Sequence, residues 1–137
     1  MNKTMNEIQD EIIEEFAKIT DWMEKYEYLI SLGKTLPQMD PSMKTETFSV
    51  PGCQSRVWVS TEIKDDKVDI QADSDTLISK GLITLVLRVF NGRSIEEIDN
   101  TDLYFIQETG LRSNLSPSRA SGLLAFINHI KKTTGEL

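Results

Sequence analysis

Three stretches rich in β-branched and aromatic residues, "TETFSV" (45–50), "SRVWVSTEI" (55–63) and "KVDIQAD" (67–73), sit together in the middle of the chain, with helical periodicity on both sides. In the last of them Val68, Ile70 and Ala72 alternate with polar neighbours, as a half-buried strand requires. Strands that follow one another without an intervening helix cannot make parallel crossovers, so they pair with their sequence neighbours in antiparallel fashion. Asp65-Asp66 turns the second into the third. The expected architecture is α+β: a three-stranded antiparallel sheet with the helices packed mainly on one of its faces. At 137 residues, with 39% hydrophobic and 27% charged residues, the chain is read as a single domain spanning 1–137, with a packed core.

The flanking segments carry their own start and stop signals. Met5, Ile8, Ile12, Phe16 and Ile19 recur at helical spacing between Glu7, Asp10, Glu11, Glu14 and Glu15. Asp21 with Glu24 opens a second helix that closes at Gly33, and "TLPQMDPS" (35–42) reads as an ordered loop. After Ser74-Asp75, read as the cap, "TLISKGLITLVLRVF" presents Leu77, Ile78, Leu82, Leu85, Val86, Val89 and Phe90 as a broad apolar stripe ended by Asn91-Gly92. Ser94-Ile95-Glu96-Glu97 is a capping box, and "TDLYFIQETG" reads as another short helix. Ser116-Pro117 starts a last helix with Leu123, Leu124, Phe126, Ile127 and Ile130 as its buried side.

Charge and residue counts remove most function classes. A formal charge of −7 is the wrong sign for a generic attraction to phosphate backbones, so no nucleic-acid partner is expected. No apolar run is long enough for a membrane span, and "MNKTMNEIQDE" lacks the apolar region of a signal peptide; the expected location is cytoplasmic, without membrane association. One Cys and one His cannot build a tetrahedral zinc site or hold an iron–sulfur cluster alone, so no metal is expected. Neither phosphate-binding glycine motif occurs. His129, late in the last helix, reads as a histidine near the helix C-terminus rather than as the base of a Cys–His pair.

What remains is Cys53, in "VPGCQSRVWV". Gly52 opens backbone angles closed to other residues and Pro51 stiffens the approach, which puts the thiol at a loop tip. Local chemistry leaves two readings open: a reactive thiol, or a small residue buried at a bend.

Four separated motifs carry a resemblance. "GCQSRVW" resembles the cysteine signature of the SufE family of sulfur-acceptor proteins, and "DWMEKYEYLISLGKTLP", "DSDTLISKGLITLV" and "LSPSRASGL" resemble its other motifs, in the same order. The resemblance implies a fold shared with the IscU-type scaffolds, which differ in needing several cysteines. It also implies that Cys53 accepts sulfur as a persulfide from a pyridoxal-phosphate-dependent cysteine desulfurase of the SufS or CsdA type, stimulates it, and relays the sulfur to the SufB subunit of a SufBCD-type scaffold. The cofactor belongs to the desulfurase and none is expected on this chain. It would act as a sulfurtransferase-type accessory rather than a stand-alone enzyme.

Arg119, in the first turn of the last helix, is the candidate for stabilising an anionic sulfur; the other readings are a structural arginine paired with a carboxylate such as Asp75, or one that positions the Cys loop. Asp75 is a cap that can also hold Arg119 or the loop. Gln54 and Ser55 shape the corner, Trp58 belongs to the core, and Gly81 permits the Cys loop or another helix to come close. The expected resting loop tucks Cys53 into a shallow apolar pocket and swings out on docking. A thiol redox protein using Cys53, or a binding activator without acceptor chemistry, are the competing functions.

Overall fold

The computed structural model describes residues 3–53 and 55–137; Gln54 lies outside them. Helix α1 (Met5–Ala17) is opened by a reciprocal capping box between Thr4 and Glu7, and α2 (Trp22–Gly33) by Asp21, whose carboxylate accepts the Glu24 N–H. Ile19 therefore falls beyond α1. Two 3-10 turns, Pro41–Met43 and Glu46–Phe48, lead to a hairpin of β1 (Val57–Lys64) and β2 (Lys67–Ser74). Then come α3 (Leu77–Phe90), the short α4 (Ile95–Asn100), α5 (Phe105–Glu108) and α6 (Leu111–Asn114), and the long α7 (Pro117–Gly135).

The α+β class and the one-sided helical layer are as expected, but the described sheet has two strands where three were expected. The segment 45–50 spends its backbone groups locally: the Phe48 N–H donates to the Thr45 carbonyl and the Ser49 N–H to the Glu46 carbonyl, which closes a 3-10 turn. Only an isolated bridge between Ser49 and Trp58 and the Val50 N–H bond to the Val57 carbonyl (2.8 Å) join it to the sheet. The β1–β2 turn is made by Asp65 and Asp66, at φ 53° and 64°, the left-handed pair that fits the twist of a two-residue hairpin.

The register pairs Val59 with Ala72 and Ile63 with Val68, so Val57, Val59, Val68, Ile70 and Ala72 share the face that meets the helices. Helix α3 lies at the centre, packed on α2, β2, α1 and α7. Leu82, Ile83, Leu85, Val86, Val89 and Phe90 are buried, whereas Leu77 and, on α7, Leu124 are exposed against expectation. The α2–α3 contact is close because each helix offers a glycine: a Cβ on Gly81 would lie 2.1 Å from the Leu29 carbonyl oxygen, and one on Gly33 2.4 Å from that of Leu77. The three helices are also tied by Glu15, which accepts from both terminal nitrogens of Arg88 (2.9 Å each) and from the Tyr28 hydroxyl (2.5 Å). Burial and this carboxylate push the Tyr28 phenol up to about 12.

The opposite face of the hairpin is covered at its root by the 39–44 segment. Trp58 is buried there with the Lys44 ammonium 5.5 Å above its ring, so it packs beneath a loop rather than in the main core. Its cross-strand partner Asp73 is 1% exposed and accepts from the Met39 and Ser74 N–H groups, with Lys44 at 3.1 Å and Lys80 at 3.8 Å. Burial raises this carboxyl, but the Ser74 N–H, Lys44 and the Met39 N–H outweigh it and hold it below the usual range. No helix among the described residues is long and apolar enough to cross a membrane.

Candidate functional site around Cys53

The loop from Val50 to Val57 is fixed at its base, and among the described residues its tip has few bonds. At the base, the Val50 N–H bonds the Val57 carbonyl, and Arg56 is held three times: its N–H donates to Asp75 Oδ1 (3.2 Å), and its carbonyl accepts from the Asp75 N–H (3.2 Å) and the Ser74 hydroxyl (2.8 Å). Asp75 is thus not the cap of α3; Thr76 takes that position, accepting the Ser79 N–H. Strand β2 runs to Ser74 and puts the Asp75 carboxylate beside Arg56 instead.

At the tip, Pro51 and Gly52 are exposed, and Gly52 adopts φ +86°, where any other residue is strained. This turns Cys53 back toward α7. Its thiol is half-buried and donates to the Gly122 carbonyl at 3.5 Å, a weak S–H bond. Burial pushes the Cys53 thiol up from its ordinary range, so in this resting geometry the sulfur is protonated. A Cβ on Gly122 would meet Cys53 Sγ at 3.7 Å, and one on Gly52 would meet the Ala125 methyl at 3.5 Å; both are ordinary contact distances.

Beneath the thiol lies a cavity of about 150 Å³. Leu82 and Ile83 of α3 and Leu123 and Phe126 of α7 form its apolar wall; Ser55, Ser79, Ser118 and Arg119 supply polar groups. A water molecule occupies about 30 Å³ of liquid, so the space admits a sulfur atom added to Cys53 without repacking. Arg119 is exposed, with its N–H bound to Ser116 Oγ at the start of α7. Among the described residues it forms no ion pair with Asp75 or any other carboxylate, which leaves its guanidinium available to the cavity it lines.

The structure therefore gathers Cys53, Ser55 and Arg119 around one cavity and places Asp75 at the base of the loop. Gly81 does not approach the loop; it serves the α2–α3 contact. His129 is half-buried on α7 away from the cavity lining, and burial with Lys132 nearby lowers its pKa. Gly122 is the residue the sequence analysis missed, although it stands inside "LSPSRASGL". A glycine in the interior of an otherwise strong helix costs about 1 kcal/mol relative to alanine, and that cost was the available signal, although a Cβ there would meet Cys53 only at ordinary distances.

Comparison with known proteins follows the same lines. Residues 10–134 match the family model described as the SufE Fe-S metabolism associated domain. An uncharacterized SufE-like protein of Rhizobium meliloti is 39% identical over 127 residues, covering 89% of this chain and 91% of that one. Another from Rhizobium etli is 35% identical over 128 residues (90% and 86%), and one from Synechocystis is 38% identical over 121 residues (88% and 76%). A solution structure of a hypothetical protein from Thermus thermophilus superposes with a TM-score of 0.76 at 20% identity, over 94% of both chains, and is similar in fold.

Proposed function

Because this chain belongs to the SufE family, whose domain is associated with Fe–S metabolism, we propose that it is a sulfur-transfer accessory protein in which Cys53 accepts a persulfide sulfur from a cysteine desulfurase. The observation that carries the proposal is the placement of this single thiol, held by a weak S–H bond to Gly122, on a loop with a fixed base over a cavity with room for one more sulfur.

The exchange is balanced without an oxidant. The Cys53 thiolate attacks the outer sulfur of the partner's persulfide; the partner's S–S bond breaks and a new one forms to Cys53. The partner thiolate leaves and takes up the equivalent of the proton Cys53 lost. Only the thiolate attacks, and the resting thiol is protonated, so the partner must draw the tip out of its apolar seat before transfer. Lifted from the cavity, Cys53 loses the desolvation that raises its pKa, while the Arg119 guanidinium and the positive end of the α7 dipole favour an anionic sulfur. Return of the loop shelters the new sulfur among Leu82, Ile83, Leu123 and Phe126.

On this reading the donor is a SufS- or CsdA-type desulfurase whose pyridoxal phosphate stays on that enzyme, this chain stimulates it by removing its persulfide, the recipient is a SufB-type scaffold subunit, and the exchange takes place in the cytoplasm. Incubation with such a desulfurase, pyridoxal phosphate and cysteine is expected to add one sulfur to Cys53, read by intact mass and peptide mapping. Full stimulation of the desulfurase by Cys53→Ser would refute acceptor chemistry in favour of activation by binding.

A further inference from the structure

A second cavity, of about 550 Å³, lies beyond the other end of α3 and shares no residue with the first. At 1.5 Å per residue along the helix, Arg88 in this cavity is about 7.5 Å along α3 from Ile83, the last α3 residue lining the other. Its lining is Lys3, Ile8, Lys67, Arg88, Asn91, Gly92, Arg93 and Glu97. Half of these are cationic, on a chain whose net charge is −7.

The counter-charges account for only part of this. Arg88 is satisfied by Glu15, and Lys3 pairs with Glu11. Arg93 donates one nitrogen to the Lys3 carbonyl (2.5 Å) and keeps the other 3.9 Å from Glu97, beyond hydrogen-bond range. Lys67 forms no ion pair among the described residues. Arg93 is nonetheless largely buried, its side chain 17% exposed, and donates to the Lys3 carbonyl from beside the cavity it lines.

The cations are also held in place. The Gly92 N–H bonds the Val68 carbonyl (2.9 Å), the Val68 N–H bonds the Arg93 carbonyl (2.8 Å), and Asn91 Oδ1 accepts the Ile70 N–H (2.8 Å). These bonds clip the turn after α3 onto the start of β2, which sets Arg93 beside Lys67. Gly92 has φ +78° and open space where a Cβ would stand.

We propose that this cavity is a binding site for a small phosphate-class polyanion, held by Lys67 and Arg93 with Lys3 as the third cation, in competition with the Glu11 and Glu97 carboxylates. The chemistry is shared by inorganic diphosphate and by the diphosphate of a nucleotide; the apolar Ile8 and the volume of the cavity leave room for the latter.

Titration of the ¹⁵N-labelled full chain with inorganic diphosphate, and separately with ADP, tests it. Saturable amide shifts are expected at Lys67, Gly92 and Arg93, weakening with added salt. Lys67→Glu is expected to weaken binding by about fivefold or more, and Glu97→Gln, which keeps the cap on the Ser94 N–H, to tighten it. Tighter binding of ADP would assign a nucleotide; equal binding, the diphosphate alone. Absence of saturable shifts there at millimolar diphosphate, shifts confined to Arg119 and its neighbours, or equal affinity of the Lys67→Glu chain would overturn the proposal. Cys53→Ser is expected to leave the binding unchanged, which separates this site from sulfur transfer.

Discussion

Replacing glycine by alanine at two helix interiors should move stability in opposite directions. In α3, a Cβ at Gly81 would sit 2.1 Å from the Leu29 carbonyl oxygen, 2.8 Å from its carbon and 3.2 Å from its Cα. All three are backbone atoms of α2, so no side-chain rotation relieves the overlap. The helices must part by more than an ångström, where overpacking costs typically about 1–3 kcal/mol. The clash with a rigid backbone places Gly81→Ala at the upper end, and the alanine helix preference returns about 1 kcal/mol. The net expectation is a loss of about 2 kcal/mol, or about 8 °C in Tm for a domain of this size. In α7, a Cβ at Gly122 meets Cys53 Sγ at 3.7 Å and two more Cys53 atoms at 4.0 Å, all ordinary contacts. Gly122→Ala should therefore gain up to about 1 kcal/mol and raise Tm by a few degrees. Differential scanning calorimetry of both variants decides the matter. A Gly81→Ala chain as stable as its parent would refute the account of the α2–α3 contact, and a Gly122→Ala chain that loses stability would refute the ordinary fit at Cys53.

Three further outcomes follow from the site and its supports. Arg119→Ala should slow persulfide transfer to Cys53 by about tenfold while leaving Tm within about 1 °C, since its side chain is exposed and makes no ion pair among the described residues; single-turnover transfer monitored by mass spectrometry measures it. Alkylation of Cys53 in the free protein should have its pH midpoint above that of an unfolded-peptide cysteine. Because the folded state holds that proton more tightly than the unfolded one, unfolding free energy should decline as pH rises past about 8.5, and Cys53→Ser should remove this slope. Asp73→Asn should destabilise by about 2 kcal/mol by leaving Lys44 and Lys80 without their shared carboxylate. Since the Asp73 pKa is depressed by folding, its contribution is present above about pH 4 and lost as pH falls through its lower folded value, a slope that urea titrations at several pH values should find missing in Asp73→Asn.

Caps and turns were legible in the sequence wherever the partner lies within a few residues. Ser94 with Glu97, Ser116 with Pro117, and Asp65-Asp66 all perform the local tasks their residue types require. Where a long-range partner decides, the same kind of reading fails. Three adjacent residues, Ser74, Asp75 and Thr76, can each cap α3, and Thr76 does so because Arg56, just before β1, claims the other two. The 45–50 segment has strand-like composition, yet its Phe48 and Ser49 N–H groups close a turn and only its Val50 N–H reaches the hairpin, so no ladder forms. Cys53 stood out by its Pro-Gly approach, but the wall of its cavity comes from α3 and α7, roughly thirty and seventy residues further on. In the sequence Leu82, Ile83, Leu123 and Phe126 are only helical core positions. Lys67, Arg93 and Lys3 likewise have no local pattern; the clip between the turn after α3 and Val68 sets Lys67 beside Arg93, and the Arg93 bond to the Lys3 carbonyl adds Lys3.

The unequal anchoring of the 50–57 loop has a consequence for timing. Its base opens only when several hydrogen bonds to Ser74 and Asp75 break together, whereas among the described residues its tip is kept by one weak S–H bond and a few van der Waals contacts. The amides at Arg56 and Asp75 should exchange with solvent deuterium slowly, and those of Gly52 and Cys53 quickly. Reagents that meet the protein by chance encounter a reactive sulfur only during brief excursions, and their apparent rate is the intrinsic rate multiplied by the exposed fraction. A docked surface that holds the tip outward removes that factor for itself alone. Discrimination between a legitimate donor and a stray oxidant then resides in how long the sulfur is displayed and to whom, with no change in the nucleophile.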